Sequence, residues 1–257
     1  MNLAFKLNER QELMHQTSVQ CLDFFLPHRC ALCRSFSTYR GLCADCWKGL
    51  VIISMPVCEL CSRPLPHAMP TALCAGCYAV PPPLAQTRAA LVYNDTSRQL
   101  LLKFKHGDGL HLTPLLVAFM RQHFLHFAQQ NPIIVPIPLH RTRYFSRRYN
   151  QAAELARGLF AAHLDNRMTG TAFAPEILIR RRADASQAGL NRQQRVRNLA
   201  GAFAVPHRET ARIQKQPILL VDDVMTTGAT LFEAARTMTR AGSGPVYAMV
   251  AAKVVRA

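Results

Sequence analysis

The sequence predicts an α/β domain, a mostly parallel sheet flanked by helices, preceded by a small cysteine-rich module. Three observations predict it. Between residues 86 and 257, short aliphatic runs alternate with helical patterns. That order builds a parallel sheet with right-handed crossovers. The run Ile218-Leu219-Leu220-Val221 ends in two adjacent carboxylates and a hydroxyl-rich turn, Asp222-Asp223-Val224-Met225-Thr226-Thr227-Gly228-Ala229-Thr230. All nine cysteines lie in the first 77 residues, and eight of them form four Cys-x-x-Cys pairs.

In chain order, residues 1–20 read as a polar leader without the apolar core of a signal peptide. Residues 21–80 form the cysteine module, with pairs Cys30/Cys33, Cys43/Cys46, Cys58/Cys61 and Cys74/Cys77. Cys21 is left over and reads as a free thiol. A Cys-x-x-Cys knuckle presents two thiolates, and two knuckles complete a tetrahedral zinc site. The module therefore reads as a double zinc ribbon holding one or two structural Zn²⁺. Sequential pairing, Cys30–Cys46 and Cys58–Cys77, is the simplest arrangement; interleaved pairing stays open. A segment this short and polar cannot hold itself together by core burial alone, which favours a structural role for the metal. Pro81-Pro82-Pro83 is a stiff spacer. The α/β domain then occupies 86–257.

Within that domain Thr87–Tyr93 reads as a strand, and Ser97–Lys105 and His111–Gln129 as helices. Ile133-Ile134-Val135-Pro136-Ile137-Pro138 reads as a strand that ends in a special turn, because proline cannot donate to a ladder. Tyr149–His163 carries Ala152, Leu155, Ala156 and Leu159 on one helical face. Ile177–Arg180 reads as a strand, Ala185–Arg197 as a polar, mobile segment, Leu231–Ala241 as a helix and Val246–Val250 as the last strand.

The chain carries a formal charge of +16, of which +14 lies after residue 85. Arginines cluster at Arg141, Arg143, Arg147 and Arg148, and again from Arg180 to Arg197. Such clusters serve a polyphosphate, a nucleic acid or solubility alone. No apolar stretch reaches the roughly 20 residues of a membrane span, so a cytoplasmic protein is expected.

The segment from Ile218 to Thr230 carries the chemistry. Its four aliphatic residues suit a strand buried on both faces. Thr230 is placed to cap the following helix, whose free N–H groups and dipole favour an anion. Gly228 permits a close approach and a positive φ. Two carboxylates are poor neighbours for a phosphate but suit the hydroxyls of a ribose. Pleating sends Asp222 and Asp223 to opposite sides if the strand persists. No Gly-Lys-Ser/Thr follows, so this is not a Walker loop.

This stretch resembles the 5-phosphoribosyl pyrophosphate (PRPP) signature of type I phosphoribosyltransferases. Further segments narrow the resemblance: Tyr93-Asn94-Asp95 with Leu101-Leu102-Lys103-Phe104-Lys105-His106-Gly107-Asp108; Val135-Pro136-Ile137-Pro138-Leu139-His140; and Arg147-Arg148-Tyr149-Asn150-Gln151-Ala152. Together with the paired cysteines, they make residues 21–255 resemble the ComF family of competence-associated, phosphoribosyltransferase-like proteins, including its members with a doubled zinc ribbon. Asn94-Asp95, Tyr149 and Met225 depart from the usual family residues.

The resemblance implies a type I phosphoribosyltransferase fold that binds PRPP with Mg²⁺, and a role in natural transformation or in the use of external DNA. It implies that Asp222 and Asp223 hold the ribose, while Val224, Met225, Thr226, Thr227, Gly228, Ala229 and Thr230 form the 5′-phosphate loop. Pro136, Ile137, Pro138 and Leu139, with Arg147 and Arg148, would meet the pyrophosphate. Arg180 and Arg182 would act from the loop that closes over the leaving group. Lys103, Lys105 and His106 either reach this site or serve as helix-end cations, and the latter is the plainer reading. Trp47 and Tyr78 either stack nucleobases or, more plainly, pack beneath the ribbon. Two classes of function follow. One is a transferase of phosphoribosyl; the other is a non-catalytic scaffold that binds single-stranded DNA or a competence helicase-like partner.

Overall fold

In a computed structural model, the described residues are 28–37, 41–68, 71–106, 109–139, 149–164, 170–181 and 201–255. The polar leader, Cys21, the arginines from Arg141 to Arg148, Arg182 and the segment Ala185–Arg197 lie outside them. The chain divides into two compact units, Met1–Gly49 and Leu50–Ala257.

In the second unit five strands form one parallel sheet. They are β1 (Gln86–Val92), β2 (Ile133–Pro136), β3 (Ala172–Phe173), β6 (Ile218–Met225) and β7 (Val246–Lys253), in the order β1-β7-β6-β2-β3. The expected mixed α/β class, with helices flanking a mostly parallel sheet, is what the structure shows. Ile218, Leu220, Ala248 and Val250 join one core cluster with Leu231, Ala234, Ala235 and Met238. The alternate residues Leu219, Val221, Met249 and Ala251 are also buried. The central strands are thus covered on both faces, which is why they read as unbroken aliphatic runs. Helix Thr113–Ala128 packs on β1 and β7, helix Gln151–Leu164 on β2 and β6, and helix Ala229–Arg240 on β6 and β7.

Two expectations change. The strand expected at Ile177–Arg180 is only β4 (Ile179–Arg180), and it pairs antiparallel with β5 (Phe203–Ala204) outside the main sheet. Helix His207–Ile213 was not expected; its polar sequence shows little apolar periodicity, and only Ile213 is buried.

Helix Asp95–Lys105 begins with a capping box. Asn94 Oδ1 accepts from the Ser97 backbone at 3.0 Å, and Ser97 Oγ accepts from the Asn94 backbone at 2.8 Å. Two orphan donors are satisfied reciprocally. Leu100, Leu101 and Phe104 anchor the helix in the core and fix where its last turn points.

Candidate functional site

The site lies at the carboxyl end of β2, beside the stretch of β6 that runs on past it. Pro136 pairs with Val221, and the Ile137 backbone donates to the Val221 carbonyl at 2.9 Å. Open parallel sheets bind ligands at this carboxyl edge. Strand β6 continues through both carboxylates to Met225, paired with β7 as far as Met225–Lys253. The pleat therefore sends Asp222 and Asp223 to opposite sides.

Asp223 is buried, and its Oδ2 lies 2.8 Å from the Lys105 ammonium. Asp222 Oδ1 accepts from the Asp223 backbone N–H at 2.8 Å. Burial pushes the Asp222 carboxyl up to about 7, and the charge of Asp223 adds to the shift. The Asp223 N–H, Lys105 and Arg180 pull the other way. Asp222 is partly exposed as a residue, yet desolvation of its carboxylate outweighs every hydrogen bond and charge around it. The arrangement is an acid pair short of positive charge, with Lys105 offsetting one member.

The turn after β6 differs from the expectation in one respect. Its helix starts at Ala229, not Leu231, and the cap is Gly228 at φ 80°, not Thr230. A side chain at Gly228 would displace its neighbours: a Cβ would meet Phe232 Cζ at 2.5 Å and Met225 Cε at 2.7 Å. The left-handed backbone and this crowding both demand glycine. No side chain caps the helix; Thr227 Oγ1 only reaches the Ala229 N–H at 3.4 Å. The remaining first-turn donors suit an anion.

Opposite, Pro136 and Ile137 are buried, while Pro138 and Leu139 are half-buried. Asn150 holds this turn: its Nδ2 donates to the Ile137 carbonyl at 3.0 Å, and its Oδ1 accepts from the Ala152 backbone at 3.1 Å. Arg180 lies over the Phe203 ring, 5.2 Å from its centroid, and its charge reaches Asp222. Arg147, Arg148 and Arg182 fall outside the described residues.

Four further side chains take part in the site. Lys105 is an ion-pair partner of Asp223 and not merely a helix-end cation. Tyr149 donates its hydroxyl to the Phe104 carbonyl, and Gln151 Nε2 donates to the Lys105 carbonyl at 3.4 Å. Both brace the turn that presents Lys105. Lys253, at the end of β7, is buried and donates to Met225 Sδ at 3.9 Å. The available signal was a lysine closing an otherwise apolar strand.

The eight paired cysteines form two clusters, Cys30/Cys33/Cys43/Cys46 and Cys58/Cys61/Cys74/Cys77, with the sulfurs of each within 4.8 Å of one another. Pairing is sequential, not interleaved. Cys33 Sγ lies 3.6 Å from Cys43 Sγ, and Cys61 Sγ lies 3.7 Å from Cys74 Sγ. A tetrahedral zinc with ~2.3 Å bonds sets its sulfurs roughly 3.8 Å apart. Both clusters therefore fit structural Zn²⁺. Trp47 and Tyr78 are 50% and 71% exposed. Neither is enclosed beneath its ribbon, where the plainer expectation put it.

A cysteine-ribbon module joined to a parallel α/β domain is the class that this fold and these clusters define. Residues 21–78 match the double zinc ribbon domain. The chain is 29% identical over 226 residues to the DNA utilization protein YhgH of Salmonella typhimurium, covering 81% of this chain and 95% of the relative. It is 28% identical to Competence protein F of Haemophilus influenzae, covering 85% and 93%. It is 28% identical to Competence protein ComFC of Bacillus subtilis, covering 83% and 89%. The chain is a homologue of the ComF, ComFC and YhgH proteins over most of its length, as its motifs indicated. Among the described residues, no helix is long and apolar enough to cross a membrane.

Proposed function

We propose that this chain binds PRPP with Mg²⁺ at the carboxyl edge of β2 and β6, and acts in the cytoplasm as a phosphoribosyltransferase in the uptake or use of external DNA. The observation that carries the reading is the Asp222–Asp223 pair at the end of β6, followed at once by the Gly228-capped loop. The carboxylates hold the ribose hydroxyls, directly or through Mg²⁺, and the loop donors from Thr226 to Thr230 take the 5′-phosphate. The Pro136–Leu139 turn receives the pyrophosphate end, with Arg147, Arg148, Arg180 and Arg182 supplying positive charge to the leaving group. Lys105 holds Asp223 in position.

The desolvated acid pair, whose charge Lys105 offsets only at Asp223, is a setting that suits a divalent cation. Mg²⁺ is held largely through substrate oxygens, with Asp222 and Asp223 completing its surroundings. When bound, it neutralises charge on the pyrophosphate.

Calorimetric titration of PRPP with Mg²⁺ tests this. Binding to the unaltered chain that is lost in Asp222→Ala/Asp223→Ala supports the site, and a screen for pyrophosphate release then seeks the acceptor. No binding to the unaltered chain sinks the enzyme reading. The basic charge after residue 85, and relatives named for DNA utilization and competence, favour a second reading. In that reading the fold is a scaffold for single-stranded DNA or a competence helicase-like partner. Oligonucleotide binding that weakens steeply with salt would support it.

A further inference from the structure

Lys253 is 7% exposed, and among the described residues no carboxylate pairs with it. Its one hydrogen-bond contact is the weak acceptor Met225 Sδ at 3.9 Å. An unpaired buried ammonium is costly, so the surroundings must hold compensating charge. Cys61 and Cys77 of the second cluster line the same cavity as the lysine. Once zinc is bound by four thiolates, the second cluster carries a net charge of about −2. That charge stands on a wall of the cavity that Lys253 also lines.

The same lysine touches the candidate site. Met225 is its register partner, the last residue of β6, and directly precedes Thr226 and Thr227. The Val254 backbone donates to the Met225 carbonyl at 2.9 Å. Met225 also packs under Gly228, where its Cε would lie 2.7 Å from an added Cβ. A cavity of about 220 Å³ is lined by Cys61, Cys77, Thr226, Thr227, Phe232 and Lys253. The second cluster and the loop are therefore two walls of one space, with Lys253 at both.

We infer that Lys253 is a positioning residue that couples metal occupancy of the second four-cysteine site to the anion affinity of the Thr226–Thr230 loop. The metal-thiolate charge holds the ammonium in place. The ammonium holds Met225, and Met225 sets the floor beneath Gly228. The first cluster has no such link in the described residues. The inference rests on the phosphate-loop reading proposed above.

Cobalt in place of zinc makes the coupling visible, because the ligand-field bands of a tetrathiolate site report small changes at the sulfurs. In full-length Cys33→Ser protein, only the second site retains its full ligand set. Adding PRPP with Mg²⁺, or inorganic phosphate, should shift the cobalt bands. In Cys33→Ser/Lys253→Met, metal should stay bound, the shift should vanish, and anion affinity should fall about tenfold, a typical coupling between sites. Lys253→Arg should restore part of both. Band shifts that persist without the lysine overturn the inference. So does unchanged affinity in the methionine variant. If neither anion binds the unaltered chain, the phosphate-loop reading fails by itself. Hydrogen exchange across 225–230 still decides the coupling: faster exchange in Lys253→Met supports it, and unchanged exchange refutes it.

Discussion

Around the first four-cysteine cluster, Leu32 and Cys30 are the only buried apolar residues described up to Gly49, and helix Ala44–Lys48 buries nothing. Around the second cluster, Ile53, Val57 and Leu84 run into the main core. The Thr87 backbone donates to the Glu59 carbonyl at 2.9 Å, and the Ala89 backbone to Ser62 Oγ at 2.9 Å. Ile53 donates to the Ala90 carbonyl at 2.9 Å, and Arg88 reaches the Glu59 carbonyl at 3.4 Å. One ligand pattern thus serves two ends. The first cluster holds its own short segment, and the second is built into strand β1 and, through Lys253, into the candidate site. A metal-binding motif alone does not say how far its influence extends; the hydrogen bonds around it do.

The strongest way to break this comparison is to remove a ligand from each cluster. Cys58→Ser should forfeit much of the roughly 10–16 kcal/mol that such a site supplies to folding. It should lower the melting temperature of the whole Leu50–Ala257 unit, followed by circular dichroism. Gly228→Ala comes next. It forces an alanine into a left-handed backbone against Phe232 and Met225, at a cost of about 2–4 kcal/mol in denaturant unfolding. Because Met225 also meets Lys253, this change should speed metal loss from the second cluster, measured with a chromogenic chelator, and leave the first unaffected.

Lys105→Met leaves Asp223 buried beside a hydrophobe. A loss of about 1–3 kcal/mol is expected, again by denaturant unfolding, with a weaker response from the second cluster because Lys105 does not touch it. Asp222 should show itself in pH. Its folded value of about 7 lies above the ordinary 3.8, so between these values the folded state holds a proton that the unfolded chain has released. Stability falls as pH rises through that window and levels off above it. Asp222→Asn should flatten this slope and be the more stable protein at pH 8. The smallest effect belongs to Cys33→Ser. It should release one metal equivalent and leave the unfolding of Leu50–Ala257 unchanged.

Much of this was legible from local pattern. The strand at Ile218–Val221 and the helix after the loop declared themselves because burial on two faces demands an aliphatic run and a helix needs a turn before it. Helix Asp95–Lys105 was legible for a similar reason, since Leu100, Leu101 and Phe104 repeat at helical spacing. Strand β3 was not, because two residues at a sheet edge carry no periodicity. The cap at Gly228 was misplaced onto Thr230, since a hydroxyl is the commoner cap and only the crowding by Phe232 and Met225 singles out the glycine.

By itself the sequence determined the elements, the ligand types and the order in which they arrive: four thiolate knuckles, then strands and helices, then two carboxylates and a glycine loop. Those features depend on neighbours a few residues apart. Only the tertiary structure decided that Lys105 faces Asp223 across 118 positions of chain, that the knuckles pair in sequence, and that Lys253 stands between a cysteine cluster and the loop. Charges far apart along the chain meet only when the sheet orders its strands β1-β7-β6-β2-β3, and no local periodicity encodes which of them will be left without water.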